Sequence, residues 1–333
     1  METVKALIHF LDNHEIAYKK CAVFAAPFDH ALGDVLEAHK CNIYSYDYEA
    51  SQKWEANGFN VSVTPDSIDD PDLTIVFPDK NHEQSAYIIQ KAFESLNDKG
   101  VLIAVAHNLA GGKRLSKIIK DIGGNVMEET SKNHCRVVLA AKSEKMTEPS
   151  DALYKNDFGY WSQAGLFGHE KIDKGSSIML QNIGEKVNGV IADFGCGYGY
   201  ISCEIAATDQ HDIDKIYAYD NDYRAVKCCE KNLSEKGKDV EFEVKWFDLT
   251  QAPETDFFDT ILLNPPFHTG KKTDISLGKT IIESAAKSLK KRGVIYIVAN
   301  THLPYEAVLK HAGISFDIVA TEQGFKVFKG VKQ

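Results

Sequence analysis

Two stretches of this chain, far apart in sequence, follow one plan, and that repetition restricts the fold more than any other feature. Glu94-Ser95-Leu96-Asn97-Asp98-Lys99-Gly100 runs into VLIAVAHN, and Lys287-Ser288-Leu289-Lys290-Lys291-Arg292-Gly293 runs into VIYIVANT. In each, a helical segment stops at a glycine and a buried strand follows. A second echo lies upstream, where Ile43-Tyr44-Ser45-Tyr46-Asp47 and Ile216-Tyr217-Ala218-Tyr219-Asp220 both read as a strand closing on an acid. Short Val- and Ile-rich runs alternating with helical segments call for a mostly parallel sheet covered by helices on both faces. The chain is therefore expected to be α/β, with two tandem doubly wound, Rossmann-like domains. The charged segment 142–151 contains Pro149 and lacks strand or helix periodicity, which places the boundary there. The expected domains are 1–145 and 146–333.

Bulk properties narrow the class. The 333 residues, 44% hydrophobic and 26% charged, have the composition of a folded protein with room for two domains. Residues 1–20 intersperse charges with apolar positions, which suits an amphipathic surface helix and leaves no uninterrupted core of a secretory leader. Apolar runs such as 101–106 and 294–299 fall far short of the ~20 residues a membrane span needs and read as buried strands. Seven cysteines, without a CxxC pair, point to a reducing cytoplasm and no structural metal; Cys228 and Cys229 read as ordinary helix residues facing different ways. A formal net charge of −10 argues against a protein that coats nucleic acid non-specifically. Local basic patches remain at Lys113-Arg114 with Lys117 and Lys120, at Lys271-Lys272, around Lys290-Lys291-Arg292, and at Lys326, Lys329 and Lys332.

The two copies differ where a ligand would bind. In the second, a buried strand at 190–192 leads through Asp193-Phe194-Gly195-Cys196-Gly197-Tyr198-Gly199 into a helix starting near Ile201. Ligands of open parallel sheets bind at such strand-to-helix turns, at the carboxyl ends of the strands. Nicotinamide-dependent enzymes use G-x-G-x-x-G, whereas position 200 here is Tyr. The next strand ends at Asp220, where a carboxylate accepts both hydroxyls of a ribose. A third, over 240–247, ends at Asp248, which is suited to accept an adenine amino group. The first copy has Ala22-Val23-Phe24-Ala25-Ala26-Pro27 in place of the glycine cluster and Phe77-Pro78-Asp79-Lys80 in place of Asn264-Pro265-Pro266-Phe267. It is expected to be degenerate, binding no cofactor and serving as scaffold or RNA contact.

A fourth strand, 258–263, runs into Asn264-Pro265-Pro266-Phe267-His268. An exocyclic amine is a poor nucleophile because its lone pair is delocalised into the ring. If the Asn264 side-chain oxygen and the Pro265 carbonyl each accept one N–H, the nitrogen can rehybridise and aim its lone pair at an electrophile, which is positioning plus electrostatic stabilisation without a strong base. The prolines hold those oxygens in place. Phe267 offers a flat face for a base, a contact worth roughly 1 to 3 kcal/mol. His268 reads equally as a substrate contact or as a hydrogen-bonded structural residue.

Glycine turn, Asp220 and Asp248 follow one another in the order of the class I S-adenosylmethionine methyltransferases, which residues 160–333 resemble. That resemblance implies S-adenosylmethionine as cofactor, with Asp193, Gly195, Gly197 and Gly199 at its methionine part and Asp220 on its ribose. Asn264 belongs to both the catalytic and the cofactor-binding sets. Asn-Pro-Pro-aromatic loops serve adenine N6, guanine N2 and glutamine amides alike. NPPFHTG at 264–270, IVANTHLPYEAVL at 297–309, QGFKVFKG at 323–330 and GLFGHEKIDKGS at 165–176 resemble the bacterial ribosomal-RNA guanine-N2 methyltransferases of the RsmC and RlmG type. So does the tandem plan with a non-catalytic first copy, and overall length and the terminal segment lie nearer the members acting on small-subunit 16S rRNA. The resemblance implies that 165–176 helps close the cofactor pocket and that Phe267 stacks the flipped guanine. Thr269 stands where many relatives carry an acid. The expectation is a cytoplasmic, monomeric enzyme partnered by ribosomal RNA or the small ribosomal subunit, with no membrane and no metal. The competing readings are methylation of another amine (large-subunit rRNA guanine, adenine N6, protein glutamine) and a non-catalytic RNA-binding assembly factor.

Overall fold

The structure, a computed structural model, describes residues 1–67, 70–147, 153–184, 186–208, 211–266 and 275–333. The chain forms two compact units, Met1–Ala152 and Leu153–Gln333. The first contains strands β1 (Cys21–Phe24), β2 (Cys41–Tyr44), β3 (Asn60–Ser62), β4 (Leu73–Val76), β5 (Val101–His107), β6 (Asn125–Lys132) and β7 (Cys135–Ala141). Its α-helices are α1 (Glu2–Asp12), α2 (His30–Val35), α3 (Tyr48–Ala56), α4 (His82–Ser95) and α5 (Leu115–Asp121). The second unit opens with a hairpin of β8 (Leu153–Lys155) and β9 (Trp161–Gln163) and a helix α6 (Lys174–Gln181). There follow β10 (Asn188–Phe194), α7 (Tyr200–Ala207), β11 (Asp212–Asp220), α8 (Tyr223–Lys236), β12 (Phe242–Trp246), β13 (Phe258–Leu263), α9 (Ile275–Ser288), β14 (Leu289–Asn300), α10 (Tyr305–His311), β15 (Ile314–Glu322) and β16 (Phe325–Lys332).

Among the described residues the sheet orders are β3-β2-β1-β4-β5-β7-β6 and β12-β11-β10-β13-β14-β16-β15, the same order twice. Five neighbouring strands in each are parallel and the last two are added antiparallel. The central strands read as continuous apolar runs because both faces are covered. Along β1, Val23 packs with Ile43, Ile75 and Ile103 on one face, and Ala22 and Phe24 pack with Val76, Leu102 and Ala104 on the other. Each of the Val, Ile, Leu and Phe side chains among them contributes about 1.5–3 kcal/mol by leaving water.

Strand register ties the copies together residue by residue. Phe24 pairs with Tyr44 and Phe194 with Tyr219. The Ala25 N–H donates to the Tyr44 carbonyl at 2.9 Å, and the Gly195 N–H donates to the Tyr219 carbonyl at 2.9 Å. The Phe24–Tyr44 and Phe194–Tyr219 ring centroids lie 5.8 and 5.7 Å apart. Tyr44 is thus the counterpart of Tyr219, and the upstream sequence echo is displaced by two residues. Asp47 answers not to Asp220 but to Asp222: Asp47 caps α3 through the Ala50 N–H at 2.8 Å, as Asp222 caps α8 through the Arg224 N–H at 2.9 Å. The counterpart of Asp220 is Ser45. The helix–glycine–strand echo needs no shift, since Val101 pairs with Leu73 as Val294 pairs with Thr260. A Cβ on Gly100 or Gly293 would lie 2.6 or 2.9 Å from the leucine four residues earlier, so both strand entries need glycine.

The N-terminal amphipathic helix is shorter than the charge pattern suggests. It ends at Asp12, where Asn13 turns its side-chain N–H onto the His9 carbonyl, and it buries Val4, Ala6, Leu7 and Phe10.

Candidate active site

The site is built where β10 lies between β11 and β13, the point at which chain order reverses in the second sheet. Register sets Phe194 beside Leu263, so Gly195 and Asn264 leave adjacent strand ends together. A Cβ built on Gly195 would stand 3.9 Å from the Asn264 carbonyl oxygen. Gly195, Gly197 and Gly199 have φ of +81°, +54° and +90°, backbone that L side chains rarely adopt. Gly199 is also a close approach, because a Cβ there would lie 2.8 Å from Cys229 Sγ on α8.

Asp220 ends β11 half-buried and holds the glycine turn directly. Its Oδ2 accepts the Gly197 N–H at 2.8 Å and its Oδ1 the Asp222 N–H at 2.9 Å. Burial, helped by the neighbouring Asp222 carboxylate, pushes its carboxyl up to about 7. Asp193 is buried near the end of β10, with Oδ2 accepting the Ser202 N–H at 3.2 Å and the Ser202 hydroxyl at 2.5 Å, which ties the strand to α7. Its Oδ1 is buried with no donor against it, an acceptor that fits an ammonium group. Burial raises its carboxyl to about 6 against the lowering effect of the Ser202 bonds. Asp248 lies beyond the end of β12, but its carboxylate is engaged locally by the Thr250 N–H at 2.9 Å and the Thr250 hydroxyl at 2.7 and 2.8 Å, as in a turn.

Asn264 follows β13 and is held by residues the sequence reading did not assign to it. Its Nδ2 donates to Asp173 Oδ2 at 2.9 Å and to Ser176 Oγ at 2.9 Å. Both N–H groups point one way, and Oδ1 is left buried without a partner. Asp173 also caps α6, accepting the Ser176 N–H at 2.8 Å. The signal was present in the Asp173-Lys174-Gly175-Ser176 cap ahead of Ile178-Met179-Leu180, a helix-start pattern. Nothing in it names the loop 91 residues away that the cap supports. Pro265 is buried and Pro266 exposed; Phe267, His268, Thr269 and Lys271-Lys272 lie outside the described residues.

A second support was not foreseen. Asn232 on α8 is fully buried, accepts the Trp161 N–H at 2.7 Å, and donates to the Trp161 carbonyl at 2.8 Å and the Tyr198 carbonyl at 2.7 Å. It joins β9, α8 and the glycine turn. Among the described residues no group of three His, Cys, Asp or Glu side chains could hold a metal ion, and no helix is long and apolar enough to cross a membrane.

A doubly wound sheet with a glycine turn at its switch point, carboxylates on the first two strand ends and Asn-Pro-Pro on the fourth is the arrangement expected of a methyltransferase. The chain belongs to the Methyltransferase small domain family, which matches residues 157–329, and the Methyltransferase small domain N-terminal family matches residues 12–156. It is 29% identical over 274 residues to the ribosomal RNA small subunit methyltransferase C of Shewanella halifaxensis, covering 78% of this chain and 77% of the relative. The protein of the same name from Acinetobacter baumannii is 26% identical over 332 residues, 95% of this chain and 96% of that one. In fold the chain is similar to the T. thermophilus 16S rRNA N2 methyltransferase RsmC, solved in complex with AdoMet and guanosine. That likeness has a TM-score of 0.82 at 20% identity, over 98% of this chain and 91% of the other.

Proposed function

We propose that this enzyme transfers a methyl group from S-adenosylmethionine to the exocyclic N2 of a guanine in small-subunit ribosomal RNA. The observation that carries the reading is the Asn264 amide, fixed through both N–H groups by Asp173 and Ser176 so that Oδ1 is presented as a bare acceptor beside the glycine turn. The RNA substrate is supported by the full-length likeness to small-subunit rRNA methyltransferases.

When bound, the cofactor supplies an electrophilic methyl on a positively charged sulfur. Asp193 Oδ1 would take the ammonium of its methionine part, Gly195, Gly197 and Gly199 would leave room for it against the backbone, and Asp220 would accept the ribose hydroxyls. Asp248, already braced by Thr250, accepts the adenine amine with its remaining lone pairs. Asn264 Oδ1 and the Pro265 carbonyl accept the two N–H groups of the guanine amine and steady the charge that develops on that nitrogen, whose surplus proton then passes to water. Stacking on the base is the part that the family resemblance gives to Phe267, which lies outside the described residues.

The first unit holds no cofactor in this reading. Where Gly197 donates to Asp220, the first copy has Pro27, which has no N–H, and Ser45, which has no carboxylate, so both ends of that bond are replaced together. Phe77, buried, takes the place of Asn264.

Transfer of labelled methyl from S-adenosylmethionine tests the proposal, with naked 16S rRNA and small subunits from a strain lacking this gene as acceptors. Label recovered as N2-methylguanosine supports it. Label entering only large-subunit RNA, adenine or a protein glutamine, or no cofactor binding at all, overturns it.

A further inference from the structure

The first unit keeps a cleft where its sister copy has the cofactor site. The cleft, of about 350 Å³, opens at the carboxyl ends of β1 and β2 and is lined by Pro27, Phe28, Ser45, Tyr46, Asp47 and Ala50 among others. That volume falls within the range of small-molecule sites, roughly 300–1,000 Å³. The turn beside it retains a costly backbone: Ala25 sits at φ +54°, the position of Gly195, although alanine disfavours that region. The turn is also pinned from below. The fully buried Trp54 donates to the Ala26 carbonyl at 3.4 Å and meets Phe28 edge to face at 5.1 Å.

The lining has changed from one suited to a charged, ribose-bearing cofactor into one suited to a flat ring. The ribose carboxylate is Ser45 and the donating turn N–H is gone at Pro27, while two rings, Phe28 and Tyr46, line the walls. Asp47 and Glu49 disfavour a phosphate inside, and Lys53 is paired with Glu49 at 2.5 Å. Exposed cations stand on the same carboxyl edge of the sheet. Lys80 follows β4, Lys113 and Arg114 follow β5, and the Arg114 guanidinium donates to the Lys80 carbonyl at 2.9 Å, joining the two loops.

We propose that this cleft holds an unpaired base of the substrate RNA, one with an exocyclic amine for the Asp47 carboxylate, while the flanking phosphates lie over Lys80, Lys113 and Arg114. The inference rests on the RNA-methylating reading above. It makes the first unit a second reader of the RNA strand, built from a cofactor site that lost its cofactor.

The test uses the full chain. Ala50→Trp fills the cleft and keeps the Ala50 N–H that Asp47 caps. Its KM for 16S rRNA should rise about tenfold, the scale of one lost base stack, with kcat, S-adenosylmethionine affinity and melting temperature unchanged. Tyr46→Ala should act in the same direction. The Lys80→Ala/Lys113→Ala pair should weaken RNA binding and flatten its salt dependence by about two counterions. Ultraviolet cross-linking of naked 16S rRNA should yield adducts on Phe28 or Tyr46. An Ala50→Trp protein with wild-type melting temperature and wild-type KM overturns the inference. So does millimolar adenosine, cytidine or guanosine binding in the cleft with no effect of Ala50→Trp on RNA, which marks a free-nucleoside site. Because cross-linking needs no turnover, adducts in the cleft from an enzyme that fails to methylate this RNA sink the catalytic proposal alone.

Discussion

Asn264 Nδ2 donates to Asp173 Oδ2 at 2.9 Å, and that one bond decides which end of the amide faces the acceptor. A carboxylate accepts and never donates, so the amide cannot be flipped without setting Oδ1 against Oδ2. Asp173→Ala should lower kcat by about 10- to 100-fold, the loss expected when a catalytic group drifts by an ångström or less. Asp173→Asn, which still accepts through its amide oxygen and still caps α6, should lose much less. Single-turnover rates at saturating cofactor read this difference; equal losses in the two variants would sink the orientation argument.

The two halves of the site should separate in kinetics. Asn264→Ala removes the proposed contacts to the acceptor and should largely abolish turnover while costing far less S-adenosylmethionine affinity than Asp220→Ala does. Asp220→Ala removes both the proposed ribose acceptor and the brace on Gly197, so cofactor affinity should fall by tenfold or more, about the worth of a charge-assisted hydrogen bond at 1.5–3 kcal/mol. Calorimetry with each variant checks this, and matching affinity losses would contradict the assigned roles.

Much of this arrangement was legible in the sequence. The fourth strand lies at Phe258–Leu263 as read, and the Gly100 and Gly293 echoes match in register. What misled was Tyr44-Ser45-Tyr46-Asp47 against Tyr217-Ala218-Tyr219-Asp220: the same Tyr-x-Tyr-Asp string occurs at a true offset of two residues. A strand has a side-chain period of two, so a shift of two returns every residue to the same face and the apolar pattern cannot detect it. The supports contributed by Asp173, Ser176 and Asn232 were illegible for another reason. Their partners lie 91, 88 and 71 residues away in sequence, and only the folded chain brings them together.

Cofactor affinity should depend on pH around neutrality. Asp220 is raised to about 7 by burial, above the ordinary carboxylate value of about 3.9, so near neutrality about half of the ligand-free sites hold a proton that must leave before the carboxylate accepts from the ribose hydroxyls. Affinity should therefore rise with pH, by about tenfold between pH 6 and pH 8, with proton release on binding. The ligand-free protein should run the opposite way. Asp193 and Asp220 bind protons more tightly folded than unfolded, so their contribution to stability is full below about pH 4 and is lost as pH rises through about 6 and 7. Titration calorimetry in buffers of different ionisation enthalpy tests the linkage. Asp220→Asn should show weaker binding that is flat above about pH 7 and keeps only the smaller rise contributed by Asp193 near pH 6, and a flat wild-type profile would refute it.

Asn232 should matter to stability more than any exposed polar residue of the second unit. It is fully buried and makes three hydrogen bonds, to both backbone groups of Trp161 and to the Tyr198 carbonyl. Asn232→Ala leaves those groups buried and unpaired, at a cost of about 3 kcal/mol. Urea unfolding should register the loss, and added S-adenosylmethionine should recover part of it, because the Tyr198 carbonyl belongs to the turn proposed to bind the cofactor. A shift below about 0.5 kcal/mol, the range of ordinary surface changes, would mean that water replaces the side chain.

Gly199 combines two demands that a double-mutant cycle can separate. Its φ of +90° strains any L residue, and a Cβ there would lie 2.8 Å from Cys229 Sγ and 3.1 Å from Cys229 Cα. Gly199→Ala should therefore cost the backbone strain, about 1–3 kcal/mol, plus the displacement of α8 from the glycine turn. Removing the sulfur with Cys229→Ala relieves the nearer contact but not the strain, and it leaves a small cavity of its own. The two substitutions should couple favourably, the double variant being more stable than the sum of the single losses predicts. Cofactor affinity should recover in step, since the displaced turn carries the Gly197 N–H away from Asp220. Strict additivity would show that backbone strain alone requires glycine at 199 and that the packing against α8 is incidental.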